Sequence, residues 1–256
     1  MKISLIGSGR VATHLSKKLH SVRHQIQYVY SPQIQHAQIL ADQVNAIATD
    51  DLTKIENDVD VIFIAVKDQA IIDVVNQFPK HLANVLIVHT SGSTTLDILS
   101  SASSRYAVFY PLQTFSLEKE VDWLSIPLLI ESYRSQDLDI LFNLANSLSN
   151  KVFNYSTEQR LNLHLAAVFA NNFSNYCYDI AKQIVDMNGV DYRLLHPLIL
   201  ETAQKAMQFS PEIVQTGPAK RGDHTILQSH QQLLLKQGQG DFLQVYNLLT
   251  QLIQKR

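Results

Sequence analysis

The sequence predicts an α/β domain built on a doubly wound parallel sheet, followed by an all-α domain. Three observations carry this. Up to about residue 155, short strand-like apolar runs alternate with helix-like amphipathic ones, as in successive βα units. Val59 to Val66 (VDVIFIAV) has the apolar texture of a central parallel strand covered on both faces. Around Ser156 the texture changes, and the remainder reads as helix. The expected domains are therefore 1–155 and 156–256.

The elements follow in order. Lys2 to Ile6 reads as a buried strand, and Val11, Leu15 and Leu19 recur at helical spacing. Between them stands Gly7-Ser8-Gly9-Arg10-Val11-Ala12, which holds the only two glycines before Gly92. Strand, glycine turn and helix form the context of a dinucleotide-binding fingerprint. Gly7 suits the tight turn, Gly9 a close approach of backbone to pyrophosphate, and Ala12 tight packing of helix on sheet. The pyrophosphate would sit on the helix N-terminus, where free N–H groups and the dipole favour negative charge.

Gln25 to Tyr30 reads as the next strand, stopped by Pro32, and Ile34 to Val44 as a helix. After the strand at Val59 to Val66, Asp68 is placed to cap a helix. Val85 to Val88, Tyr106 to Tyr110 and Ile126 to Ile130 read as further strands, with Pro127 marking the last as an edge. Ser156-x-x-Gln159 fits a capping box. From it a helical pattern runs unbroken to Gly189, roughly 45–50 Å long. Tyr192 to Phe209, Gly222 to Lys236 and Asp241 to Ile253 read as three more helices.

Composition narrows the function classes. A formal charge of −2 gives no basic footprint for nucleic acid. Cys177 is the only cysteine, which points to a reducing, cytoplasmic setting. No apolar run approaches the ~18 residues of a membrane span, and no metal is expected.

Ligands of open α/β sheets sit beyond the carboxyl ends of the strands, so the segments there are the candidates for chemistry. Val66 and Lys67 are expected beside a cofactor, where Lys67 is a functional cation or simply a solvated lysine at a helix start. His89-Thr90-Ser91-Gly92-Ser93 groups an imidazole and hydroxyls fit to orient a nicotinamide or a carbonyl, or simply forms a polar turn. Tyr110-Pro111-Leu112-Gln113-Thr114-Phe115 leads off a strand and lines a cleft or crosses between layers. After the second strand, Tyr30-Ser31-Pro32-Gln33 contains no acid to hold ribose hydroxyls. This leans towards NADP over NAD, with Ser31 and Arg10 near the phosphates. On the long helix, His164, Asn171 and Asn175 fall within a ~40° arc at 100° per residue, with Asn172 one step further round. Such a polar stripe lines a cleft or forms an internal hydrogen-bond network. Gln215 to Asp223 concentrates two cations, an acid and two glycines, suited to an anion, to a partner domain, or to an interhelical turn.

These motifs, in this order, resemble the NADP oxidoreductases that join a Rossmann-like N-terminal half to a C-terminal domain of unknown function, number 2520. The resemblance rests on Gly7-Ser8-Gly9-x-Val11-Ala12-Thr13, His89-Thr90-Ser91-Gly92-Ser93, Phe109 to Ser116, His164 to Phe169 and Gln215 to Ala219. It implies a helical C-terminal domain like that of 6-phosphogluconate dehydrogenase, relatives such as pyrroline-5-carboxylate reductase, and a dimer joined by the long helices. The family tends to have Asn at the place of Arg10 and Ser-Arg-Thr at the place of Ser31-Pro32-Gln33. Hydroxyacid dehydrogenases on this plan carry Lys-x-x-Asn-Asn on the long helix. Here Val168 stands at the lysine position, so sugar-acid chemistry is not implied.

The expected function is hydride transfer between NADP(H), with NAD(H) as the other cofactor, and a small substrate between the domains of a homodimer. Gly7, Ser8, Gly9, Arg10, Val11, Ala12, Ser31, Val66 and Lys67 would hold the cofactor. His89, Ser91, His164 and Asn172 would orient or protonate the substrate. A non-catalytic NADP-binding sensor or assembly module is the alternative.

Overall fold

Apolar strands buried on both faces dominate the N-terminal part. In the computed structural model, which describes all 256 residues, these are β1 (Lys2–Ile6), β4 (Val61–Ile64), β5 (Leu86–His89) and β6 (Tyr106–Pro111). β2 (Gln25–Tyr30) and β3 (Ile47–Thr49) extend the sheet on one side, β7 (Leu128–Ser132) and β8 (Val152–Asn154) on the other. The order is β3-β2-β1-β4-β5-β6-β7-β8. The strands from β1 to β6 are mutually parallel; β7 runs antiparallel to β6, and β8 parallels β7.

Alternate residues of each strand feed the two faces. One face packs Ile3, Leu5, Val61, Phe63, Leu86 and Val88 with helices α1 (Arg10–Ser21), α2 (Ile34–Val44) and α4 (Ser135–Asn146). On the other, Ile6, Ile62, Ile64 and Ile87 meet α3 (Asp68–Asn76). The sequence expectation of a doubly wound sheet holds, with mostly parallel strands. Pro127 does not mark an edge. It lies one residue before β7, where no ladder N–H is needed, and its carbonyl accepts from the Leu112 N–H at 2.9 Å. The edge strand is β8. It and β3 are three residues long, too short to show a period in the sequence.

The expected capping box closes the N-terminus of α5 (Thr157–Ala167), with both the Ser156 and Gln159 side chains engaged. The helix is not α-helical throughout. A π-helical turn, Val168–Phe173, separates α5 from α6 (Ser174–Asp186). Gly189, at φ +66°, lies in the turn that follows. The 100° step that placed His164, Asn171 and Asn175 on one arc does not hold through this turn, because its hydrogen bonds run i→i+5.

Two compact units result, Met1–Asn171 and Asn172–Arg256. The first therefore includes the beginning of the long helix. The second comprises α6, α7 (His196–Gln208), α8 (Pro218–Arg221), α9 (His224–Lys236) and α10 (Gly240–Gln254). Its charged loop has a local explanation. Gly217 and Gly222 take positive φ, Pro218 starts α8, and the Asp223 carboxylate caps α9 by accepting from the Ile226 N–H. No helix is long and apolar enough to cross a membrane.

Candidate active site

β1 lies between β2 and β4, where the winding of the sheet reverses, and all three end at the same edge. The chain leaving them lines a cavity of about 710 Å³. Gly7, Ser8, Gly9, Arg10 and Val11 come from the end of β1, Ser31 and Gln33 from that of β2, and Val66 and Lys67 from that of β4. His36, on the first turn of α2, also reaches it. Every residue expected at the cofactor lines this cavity except Ala12, which is fully buried and packs α1 on the sheet.

The two fingerprint glycines differ physically. Gly7 sits at φ +121°, and a Cβ there would overlap the carbonyl of Ala65. Its N–H donates to the Tyr30 carbonyl at 2.8 Å, so the fold itself requires this glycine. Gly9 has an ordinary φ of −79°, and a Cβ on it would meet nothing within 4 Å. Gly9 therefore faces the open space of the cavity, which a side chain would fill.

Charge around the cavity has one sign. Arg10, Lys67 and the imidazole of His36 line it, and no carboxylate does. Helix α1 has no acidic residue in its first turn and no side chain capping it, so its N–H groups and positive dipole end remain available. Asp50 and Asp51 are not part of the lining. Burial and then these two carboxylates push the Tyr30 phenol up. These residues fit a dinucleotide carrying several phosphates.

A second cluster forms where β5 and β6 end. His89 closes β5 and is 0% exposed. Its Nδ1 accepts the Ser91 N–H at 3.2 Å, and Nε2 has no partner. Burial, aided by the Arg160 charge, lowers its pKa to about 3. His89 is thus a buried, neutral ring that supports the turn. Ser91 is also committed to the turn. Its hydroxyl donates to Thr94 Oγ1 at 2.8 Å and accepts from the N–H groups of Ser93 and Thr94 at 3.1 and 3.0 Å. Asp68 does not cap α3; Lys67 holds that position, and the Asp68 carboxylate accepts from the Ser93 hydroxyl.

His164 on α5 meets the cluster through a residue not singled out as catalytic. The Tyr110 hydroxyl lies 2.8 Å from His164 Nδ1, with the rings edge to face. Burial raises the Tyr110 pKa to about 12, and Asp68 adds to the rise, so the phenol stays protonated at neutral pH. Gly92 packs against both rings: a Cβ on it would lie 2.5 Å from His164 Nδ1 and 2.6 Å from Tyr110 Cζ. Arg160, one helical turn before His164, is 1% exposed. Its guanidinium donates to the carbonyls of Ser91, Gly92 and Thr94 and to the carboxylate of Glu131. Asn172 lies in the π-helical turn, is exposed, and begins the second unit. The structure thus brings His89, Ser91 and His164 to one turn, and of the two rings only that of His164 is partly exposed. Arg160 was missed, and Tyr110 was expected only within a segment that lines a cleft or crosses between layers, because their partners lie far away in sequence.

Two family models match the chain. One, described as NADP oxidoreductase, coenzyme F420-dependent, covers residues 2–92. The other, a domain of unknown function numbered 2520, covers residues 126–253. No curated protein matches. Among solved structures, one from Bacteroides fragilis, provisionally named an NADP oxidoreductase, is 36% identical with a TM-score of 0.93, over 100% of this chain and 98% of that one. A protein from Thermotoga maritima is 26% identical, with a TM-score of 0.69, over 99% and 97%. An imine reductase from Myxococcus stipitatus, solved with NADP+, shares the fold at 13% identity and a TM-score of 0.72, over 100% and 93%. The chain belongs to the family of NADP oxidoreductases whose C-terminal half is domain of unknown function 2520.

Proposed function

We propose that this protein is an NADP(H)-dependent oxidoreductase acting on a small organic substrate, with the Tyr110–His164 pair managing the proton. The observation that carries the reading is the cavity at the switch point, lined by Arg10, His36 and Lys67 and by no carboxylate. An adenosine 2′-phosphate adds a dianion that a carboxylate would repel. Family membership and the NADP+ bound to the imine reductase of the same fold support it. Bound NADPH would supply a hydride to carbon; the oxygen or nitrogen of the substrate then needs a proton.

His164 fits that task. As an imidazolium it donates from Nδ1 to the Tyr110 oxygen, which leaves its Nε2–H for the substrate. Transfer from Nε2 leaves a neutral ring held by the same phenol, and solvent restores the proton. Tyr110 is a poor final donor, because losing its own proton means overcoming a pKa of about 12. A binding module without turnover has no use for such a pair. Asn172 remains a proposed substrate contact. We further propose a homodimer, argued from the bare helix faces of the second unit, and a cytoplasmic setting where reduced nicotinamide is supplied.

Calorimetric titration of NADPH and NADH tests the cofactor reading. NADPH should bind at least tenfold tighter, about 1.4 kcal/mol. Loss of NADPH absorbance with a panel of ketones, cyclic imines and oxidised deazaflavin then tests turnover. Absence of NADPH binding, or a clear preference for NADH, would refute the proposal.

A further inference from the structure

We propose that Arg160 is a positioning residue for proton delivery: its guanidinium fixes the Ser91–Thr94 turn, and that turn is the seat on which the Tyr110–His164 pair is held. The inference rests on the reading that this pair handles the proton.

Four observations carry it. Arg160 is 1% exposed, and burying a guanidinium is costly unless its donors are used. Here Nη1 donates to the carbonyls of Ser91, Gly92 and Thr94 at 3.2, 3.4 and 2.7 Å. Nη2 donates to Glu131 Oε2 and Thr157 Oγ1, each at 3.2 Å, which leaves Nε alone without a partner. One side chain thus ties α5 to β7 and to the turn after β5. The second observation is spacing: Arg160 and His164 are four residues apart on α5 and share a face. Fixing the arginine therefore fixes the azimuth of the histidine. Third, the carbonyl that Arg160 grips at Gly92 belongs to the residue on which both rings rest, with no room for a Cβ. Fourth, the turn's remaining polar groups brace it without touching the pair. His89 holds the Ser91 N–H, and the Ser91 hydroxyl holds those of Ser93 and Thr94. Only Arg160 links this turn to the helix that carries His164 by charge-assisted hydrogen bonds.

The geometry predicts how the network fails. Without the guanidinium the turn keeps its internal bonds. Glu131 keeps two donors, the N–H and hydroxyl of Thr157, each at 2.8 Å. The fold should persist, while the turn and α5 shift against each other and the 2.8 Å contact between Tyr110 and His164 loosens.

The test uses the full chain labelled with ¹⁵N-histidine, with the His164 resonances assigned through His164→Gln. In the wild type one ring tautomer should dominate, fixed by Tyr110. In Arg160→Met that preference should collapse to a mixture, and in Arg160→Lys it should be partly restored. NADPH affinity should stay within twofold in both, because the cavity of the fingerprint shares no residue with this network. Gly92→Ala attacks the seat while leaving every charge in place, and it should reproduce the tautomer mixture. Retention of the wild-type tautomer in folded Arg160→Met and Gly92→Ala would overturn the proposal. Equal disturbance of all histidines, or loss of NADPH binding, would do the same by showing general damage. The underlying reading has its own readout. If Tyr110→Phe leaves turnover unchanged, the pair is not the proton source, whatever the tautomer of His164.

Discussion

The Tyr110 hydroxyl and His164 Nδ1 lie 2.8 Å apart although 54 residues separate them in the chain. β6 brings one to the carboxyl edge of the sheet, and α5 lays the other over it. Leu163 secures that crossing by packing on the cluster of Val108, Tyr110 and Leu129.

This contact yields the first prediction. General acid catalysis by a positioned side chain contributes roughly 10²–10⁴-fold. His164→Gln should lower kcat by about 10²-fold or more, with NADPH affinity within twofold of wild type. Tyr110→Phe should lower it less, because the imidazole remains but loses its fixed orientation. Steady-state kinetics on the first substrate identified, with parallel calorimetry, decides. An unchanged kcat in His164→Gln would remove the ring from the reaction.

A second prediction separates fold from ligand at the fingerprint. Gly7→Ala forces a Cβ into the Ala65 carbonyl at a left-handed φ, so it should be destabilised by several kcal/mol or fail to fold. Gly9→Val meets nothing in the protein and should melt within a few degrees of wild type. It should lose NADPH binding by more than tenfold, because its side chain occupies the cavity. Unchanged affinity in folded Gly9→Val would sink the nucleotide assignment.

The third prediction concerns pH and stability. His89 has a pKa of about 3 in the folded protein, against about 6.5 when unfolded. The unfolded chain therefore binds the extra proton, and stability falls as pH falls. The contribution is complete above about pH 7 and is lost progressively from pH 6.5 towards 3. At pH 5 the loss should be about 2 kcal/mol. His89→Asn offers an amide oxygen to the Ser91 N–H without titrating, so its stability should be flatter over this range. Urea unfolding at pH 7 and pH 5 gives the comparison. Parallel profiles for both proteins would refute the argument.

Local rules made the sheet legible. Lys2–Ile6, Gln25–Tyr30 and Ile34–Val44 appear with the boundaries expected from period and punctuation. The fingerprint was legible because a single turn and a strand end supply most of its residues. The second cluster was not. His89 carries the residue type of a catalyst, yet the same run of apolar neighbours that makes β5 a central strand buries it and suppresses its charge. Arg160 sits in a stretch that reads as an ordinary exposed helix start, and only the fold shows that Glu131 and three carbonyls surround it. One clue was present. A glycine among hydroxyls at a strand end, as at Gly92, marks a place where something bulky comes close. The π-helical turn left no sign in the apolar pattern, because one added residue per turn shifts phase without changing composition.

The final prediction is assembly. Helices α6 and α7 bury none of their residues. Large apolar side chains stand open on and beside them: Leu194 is 71% exposed, Met207 79% and Ile213 80%. A soluble monomer rarely leaves such surface contiguous, and helices with apolar faces need a covering layer. A second copy supplies one by presenting the same face through a two-fold axis, which closes the assembly. An obligate interface of this kind should bury more than roughly 2,000 Å² in total. Sedimentation equilibrium at low micromolar concentration should return twice the chain mass. Leu198→Glu and Leu194→Glu, at exposed positions of the second unit, should shift the protein towards monomer and lower its melting temperature in a concentration-dependent way. A well-behaved wild-type monomer at that concentration would show that these faces need no partner copy.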